Sequence, residues 1–114
     1  MPRHAMISYV ELPGTDLPAT KSFYTSAFGW RFTDYGPTYT AFENSGVEGG
    51  FQGDASEGST QPLIILYADD LEAMEADILA NGGQIIRPIY AYPGGRRFHF
   101  RDPSSNELAV YSQA

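Results

Sequence analysis

The chain has 114 residues, enough for one compact domain with one hydrophobic core. Its 14 acidic and 7 basic residues give a net charge of −7, which argues against nucleic acid or a membrane surface as a partner, because both attract clustered Lys and Arg. The absence of cysteine excludes disulfides and thiolate sites, and the absence of a long apolar stretch or a signal-like N-terminus predicts a cytoplasmic protein.

The first half of the chain predicts a strand, a helix and three short strands. Asp16 is a good N-cap, Gly29 is a good helix stop, and apolar side chains recur between them at helical spacing. The predicted elements are a strand over 6–12, a helix over 17–28, and strands over 30–34, 39–43 and 47–52. The predicted buried stripe of the helix consists of Leu17, Phe23, Tyr24, Ala27 and Phe28.

The second half repeats this order after a polar stretch, 53–61, that reads as a linker. Asp69 or Asp70 caps a second helix, which Asn81 and the two glycines after it bring to an end. Strands are predicted over 63–67, 84–90, 97–101 and 107–111. The predicted buried stripe of this helix consists of Leu71, Met74, Ile78 and Leu79.

The two halves share one pattern. An Asp-Leu pair opens each predicted helix, at Asp16 and at Asp70, and each helix stops at a glycine the same distance on. Repetition at a fixed offset indicates duplicated architecture. The sequence therefore predicts an α+β fold made of two tandem βαβββ modules, in a single domain over 1–114 with modules at about 6–52 and 62–112.

Several short motifs, taken in order, resemble the vicinal oxygen chelate superfamily, which includes glyoxalases, bleomycin-resistance proteins and extradiol dioxygenases. The resemblance covers almost the whole chain, and its motifs are specific for the superfamily rather than for one reaction. The matching residues are Thr15-Asp16-Leu17, Ser22-Phe23-Tyr24, Phe28-Gly29-Trp30, Asp70-Leu71, Asn81-Gly82-Gly83 and the run from Arg101 to Glu107. The resemblance implies sheets that form a cup with the helices outside, a small-molecule ligand in that cup, and a homodimer.

Metal-dependent members of that superfamily take His, Glu or Gln ligands from four strands. By resemblance, the positions on the first, fifth and eighth strands fall at Tyr9, Leu63 and Ala109, and the fourth falls near Glu48, Gly49 or Gly50. Leu and Ala offer no donor atom, and a neutral Tyr is a poor ligand. We therefore expect the usual metal centre to be absent and predict neither a metal nor another cofactor.

Strand alternation then predicts which side chains line the cup. Two of them, Glu11 and His99, are candidate acid–base groups, although a salt-bridged Glu11 is an equally ordinary outcome and a strand histidine is more often structural. The same alternation in β-strand 97–101 separates Phe98 and Phe100 from the two arginines and His99. The predicted lining consists of Tyr9, Glu11, Leu63, Ile65, Tyr67, His99, Glu107 and Tyr111.

Three functions fit this pattern. The first is a metal-independent protein that binds a drug or metabolite, favoured by the missing ligands and the aromatic lining. The second is a glyoxalase-like lyase or isomerase that uses Glu11 or His99 as a base. The third is an interaction module in which Tyr and Leu side chains fill the cup. The sequence leaves open whether the chain is an enzyme.

Overall fold

The computed structural model describes residues 2–57 and 59–113. Two helices and eight strands alternate as two βαβββ repeats. The chain divides into two compact units: the first unit is Tyr9–Leu63, and the second unit joins the residues up to Ser8 to those from Ile64 onward. The elements are β1 (Ile7–Pro13), α1 (Leu17–Phe28), β2 (Arg31–Asp34), β3 (Tyr39–Glu43), β4 (Gly49–Gln52), β5 (Leu63–Tyr67), α2 (Leu71–Ala80), β6 (Gln84–Tyr92), β7 (Gly95–Arg101) and β8 (Glu107–Ser112).

In the first unit the strands follow the order β2-β3-β4-β1. The pairs β2–β3 and β3–β4 are antiparallel, whereas β1 runs parallel to β4. On the helix side of this sheet, Phe42 and Phe51 are buried and their rings meet edge to face at 5.7 Å. Tyr24 of α1 packs on Phe51 at 5.3 Å and on Trp30 at 4.7 Å, so an aromatic cluster joins the helix to the sheet.

Both ends of α1 agree with the sequence-based prediction, but its buried stripe does not. The Asp16 carboxylate accepts a hydrogen bond from the Ala19 N–H at 3.1 Å, and Gly29 ends the helix in the left-handed conformation with φ of 78°. However, Phe23 and Phe28 remain 57% and 63% exposed. The predicted stripe is therefore wrong for these two side chains and for Ala27, which is also exposed, because the periodicity locates an apolar face but not what covers it.

The second unit repeats the arrangement of the first, with strand order β5-β8-β7-β6. Here β5 runs parallel to β8, and β6–β7 and β7–β8 are antiparallel. One face of the sheet packs against α2 around four buried residues: Ala68, Leu71, Phe98 and Val110. Residues before β1 extend the pairing at β5, since the Tyr67 N–H donates to the Met6 carbonyl at 3.1 Å.

Asp70, rather than Asp69, caps α2, with its carboxylate accepting the Ala73 N–H at 3.0 Å. Leu71 is buried and Met74 and Ile78 pack on the core, as predicted, but Leu79 is 54% exposed and does not belong to the buried stripe. In the described residues, no helix combines the length and apolarity needed to cross a membrane. The connectivity confirms the predicted α+β class and the two βαβββ repeats.

Candidate functional site

The second unit carries its polar side chains on the face of the sheet that points away from α2. Phe98 lies in the core against α2, so its neighbours Arg97 and His99 project from the opposite face. On β8, Val110 belongs to the core, which places Glu107, Ala109 and Tyr111 on that same opposite face. The predicted alternation is thus confirmed for both strands, and we call this surface the polar face of the second unit.

Four side chains of the polar face form a continuous hydrogen-bonded chain. The Nε of Arg97 donates to the hydroxyl oxygen of Tyr90. That hydroxyl lies 3.2 Å from Nε2 of His99, and Nδ1 of His99 lies 2.8 Å from Oε2 of Glu107. Three strands contribute: Tyr90 from β6, Arg97 and His99 from β7, and Glu107 from β8.

The direction of donation in this chain follows from the chemistry of its two ends. A guanidinium only donates and a carboxylate only accepts. With a neutral imidazole, the Tyr90 hydroxyl must therefore donate to Nε2, and Nδ1–H must donate to Glu107. Burial lowers the pKa of His99 despite the opposing effect of the hydrogen bond that His99 donates to Glu107, and the nearby Arg97 adds to the lowering, which favours the neutral ring.

Burial varies along this hydrogen-bonded chain. His99 is only 1% exposed and Arg97 6% exposed, so neither offers much surface. Tyr90, between them, is half-buried, and the Glu107 side chain keeps 33% of its surface exposed. Glu107 is thus the charged end at which this chain reaches the surface.

Aromatic side chains flank this chain on the polar face. Tyr67 of β5 meets Tyr111 of β8 edge to face at 5.2 Å, and the Tyr111 hydroxyl lies 3.3 Å from the Ser8 hydroxyl. The guanidinium of Arg87 stacks on the Tyr90 ring at 4.0 Å. The polar face therefore combines a carboxylate with several half-buried aromatic rings.

In the first unit, the predicted lining residues Tyr9 and Glu11 share the face opposite the helix. Glu11 is in register with Gly50 of β4 and is 6% exposed. The Tyr9 hydroxyl bonds the Tyr39 hydroxyl at 2.6 Å, and burial is the main cause that raises the pKa of Tyr9. A Cβ on Gly50 would lie 2.6 Å from the Tyr39 hydroxyl oxygen, so Tyr39 fills the space that a side chain at position 50 would need.

The residues present do not fit the divalent metal of the related enzymes. Tyr9, Leu63 and Ala109 occupy three of the assigned positions. Gly49 and Gly50 of β4 are in register with Val10 and Glu11, so Glu48, just before β4, is the carboxylate that lies near Tyr9 at the fourth position. Within 2–57 and 59–113, no three His, Asp or Glu side chains come close enough to hold a metal ion. In the described residues, His99 and Glu107 lie within hydrogen-bond distance of each other, but no third His, Asp or Glu side chain is close enough to complete a metal site with them.

Four of the eight predicted lining residues have almost no free surface: Leu63, Ile65, Glu11 and His99 are between 1% and 6% exposed. Ala109, at an assigned ligand position, is fully buried. An open cleft of about 310 Å³ lies elsewhere, in the first unit between the start of α1 and the β2–β3 turn, and contains none of the predicted residues. The accessible part of the predicted lining is therefore Tyr9 in the first unit and Tyr67, Tyr111 and Glu107 in the second.

Tyr90 is the residue that sequence reasoning undervalued. The sequence predicts a strand over 84–90 that ends at Tyr90 and gives this side chain no place in the site. The strand instead continues to Tyr92, and a register shift between Arg87 and Tyr90 aligns Tyr90 with Arg97. Before β1, the Nδ1 of His4 accepts a hydrogen bond from the Asp69 N–H at 3.1 Å.

Comparison with known proteins agrees with this architecture. Residues 6–110 match the model of the glyoxalase/bleomycin resistance protein/dioxygenase superfamily. A putative glyoxylase of Mycobacterium bovis is 27% identical over 96% of this chain, and the chain spans 46%, about half, of that relative's length. A glyoxylase-like domain-containing protein of Didymella fabae is 29% identical, with 94% of this chain and 93% of that protein covered.

The fold is also that of solved structures in this group. A methylmalonyl-CoA epimerase of Mycobacterium tuberculosis superimposes with a TM-score of 0.70 over 99% of this chain and 91% of that chain. The two sequences are only 12% identical, so this likeness concerns the fold. By its family match over nearly its whole length, the chain belongs to the glyoxalase/bleomycin resistance protein/dioxygenase superfamily.

Proposed function

We propose that this chain binds a small organic molecule on the polar face of its second unit, without a metal ion. The observation that supports this most is the chain of hydrogen bonds from Arg97 to Glu107, a preorganised polar group beside the Tyr67–Tyr111 pair. A few fixed polar groups among aromatic walls are typical of small-molecule sites. The unsuitable ligand positions at Leu63 and Ala109 support the metal-independent part of the proposal.

The enzymatic alternative receives less support at His99. Both of its ring nitrogens are engaged within the protein, so His99 has no nitrogen left with which to take a proton from a ligand. A lyase or isomerase activity would therefore depend on a carboxylate. The epimerase and glyoxylase names of similar proteins make carbonyl compounds a reasonable part of any ligand screen.

A thermal-shift screen of small aromatic and carbonyl compounds tests the proposal. A compound at 100 to 1,000 times its dissociation constant should raise the free energy of unfolding by roughly 3–4 kcal/mol. Tyr111→Ala should reduce this response, because it removes one wall of the Tyr67–Tyr111 pair, whereas Tyr35→Ala should not, since Tyr35 is 66% exposed in the first unit.

Two results would count against this proposal. Stoichiometric manganese, nickel, zinc or iron in the purified protein, measured by inductively coupled plasma mass spectrometry, would contradict metal independence. A screen in which no compound alters the melting temperature would favour a filled, non-binding face. A response that persists unchanged after treatment with a chelator would support metal-independent binding.

We also propose that the chain forms a homodimer and that the exposed aromatic surface of α1 takes part. Phe23 and Phe28 are mostly exposed, yet their rings lie 6.3 Å apart and form an apolar patch of a kind that often marks an interface. This chain spans 46% of the length of the putative glyoxylase of Mycobacterium bovis, so two copies of the chain together would have about the length of that relative.

Light scattering tests the dimer. The wild-type chain should show twice the monomer mass, and the double change Phe23→Glu and Phe28→Glu should lower it to the monomer mass by placing charges in the interface. Leu79→Glu is the control, because Leu79 is similarly exposed on the other helix. A monomeric wild-type chain would contradict the proposal outright, and a dimer that survives the double change would remove α1 from the interface.

A further inference from the structure

We propose that Glu107 is the ligand-contacting group of the polar face, that it accepts a hydrogen bond from a hydroxyl group of the ligand, and that Tyr90 and His99 are positioning residues for it. This inference rests on the proposed function and deepens it by naming the chemistry of the ligand. It differs from the candidate role of His99 as an acid–base group, because here His99 positions Glu107 instead of reacting itself.

The free acceptor capacity of Glu107 is the first step of the argument. Its Oε2 accepts the hydrogen bond from His99 at 2.8 Å. In the described part of the chain, the Glu107 side chain makes no other hydrogen bond or ion pair. It does not pair with the side chain of Arg101, although the two residues are in register across β7 and β8. A carboxylate accepts up to about four hydrogen bonds, so most of its capacity is available on the exposed side.

Preorganisation of Glu107 is the second step. An exposed glutamate normally samples many rotamers, and fixing it in one of them costs side-chain entropy. Here His99, which is almost fully buried, holds one carboxylate oxygen, and Tyr90 holds the far side of the imidazole. Arg97 in turn fixes Tyr90, so part of the ordering cost is met before a ligand arrives.

The charge of the polar face determines which kind of ligand group can donate a hydrogen bond to Glu107. Arg97 and Arg101 are in register with Tyr111 and Glu107, and Arg87 is in register with His99. Three guanidinium groups on this face disfavour a cationic ligand. A neutral hydroxyl remains the donor that satisfies a carboxylate without adding positive charge, and the tyrosine rings nearby suit an aromatic or apolar body.

Two matched probes test this inference directly. p-Cresol carries a hydroxyl donor, and 4-methylanisole has nearly the same shape with the donor methylated. Isothermal titration at neutral pH should show p-cresol binding the wild-type protein at least about tenfold more tightly, as expected for a hydrogen bond to a charged group. Glu107→Gln should reduce this ratio below about threefold, whereas Glu43→Gln, an exposed carboxylate in the first unit, should leave it unchanged.

The positioning role of Tyr90 has its own readout. Tyr90→Phe removes the hydroxyl that donates to His99 and accepts from Arg97, so it should lower the affinity for p-cresol by more than the affinity for 4-methylanisole and thereby lower the ratio of the two. A purely structural role would weaken both probes equally. In the ligand-free wild-type protein, nitrogen-15 NMR of the histidines should show the His99 hydrogen on Nδ1, with His4→Gln used to assign the signals.

The outcomes separate this inference from the proposed function. Equal binding of both probes to the wild-type protein would overturn the role of Glu107 and leave small-molecule binding intact. A hydrogen on Nε2 alone would overturn the positioning chain, because Nδ1 could not then donate to Glu107. Binding of neither probe, together with an unresponsive thermal-shift screen, would overturn both.

Discussion

Replacing Leu71 by alanine should lower the free energy of unfolding by about 2–5 kcal/mol. Leu71 is 1% exposed at the start of α2, in contact with the core cluster that includes Phe98 and Val110. Truncation removes buried apolar surface and leaves a cavity that the sheet beneath cannot close, because its strands are held by their pairing on both sides. Urea unfolding followed by circular dichroism measures the loss.

The same change at Leu79 is the matched control. Leu79 lies on the same helix but is 54% exposed, so Leu79→Ala should change the stability by less than about 0.5 kcal/mol. Equal losses at the two positions would contradict the assignment of the core to the Leu71 side of α2. The comparison isolates burial, since residue type, substitution and helix are identical.

These two leucines show why helical periodicity predicts a face but not its limits. The stripe Leu71, Met74, Ile78 and Leu79 is correctly spaced, yet only the first three pack on the core, and Leu79 remains exposed. In α1 the same reasoning included Phe23 and Phe28, which the first unit leaves exposed. Burial depends on the partner surface, and a single sequence does not specify the extent of that surface.

The helices were predictable because the residues that begin and end them act through local interactions. Asp16 and Asp70 cap their helices through their own side chains, and Gly29 adopts a positive φ that most residues avoid. The duplicated order of strands around these caps then determined the connectivity. Strand ends were less predictable: β7 begins two residues earlier than expected, at Gly95, and β6 extends two residues further, to Tyr92.

The polar face was predictable only in part, for a related physical reason. Alternation along β7 and β8 correctly placed His99 and Glu107 on one face, because a period of two is intrinsic to a strand. Their hydrogen bond depends on cross-strand register, in which His99 lies beside Ala109 and two residue pairs away from Glu107, on the same face. The contribution of Tyr90 depends on the register shift between Arg87 and Tyr90 in β6, and no pattern of residue types in the sequence predicts that shift.

A methyl group on Gly49 should be among the most damaging small changes in the first unit. A Cβ there would approach both the Val10 carbonyl oxygen and the Phe42 ring nearer than the 3.0 Å limit that real Cβ atoms essentially never cross. The ring can move only by disturbing the aromatic cluster, and the carbonyl belongs to the neighbouring strand β1. We therefore expect Gly49→Ala to cost about 3 kcal/mol in the free energy of unfolding, at the upper end of ordinary overpacking.

Gly53→Ala is the control for this prediction, since neither glycine has a positive φ and both substitutions restrict the unfolded chain alike. A Cβ on Gly53 would lie 3.0 Å from the Thr38 carbonyl oxygen, which calls for a shift of a few tenths of an ångström, so the net change should stay within about 1 kcal/mol. Chemical denaturation of the two variants measures the difference, and equal losses would contradict the close packing at Gly49. Tyr39 also occupies the space beside Gly50. A large loss of stability in Gly49→Ala would therefore mean that neither Gly49 nor Gly50 can be replaced by a metal-binding side chain unless the surrounding sheet residues move.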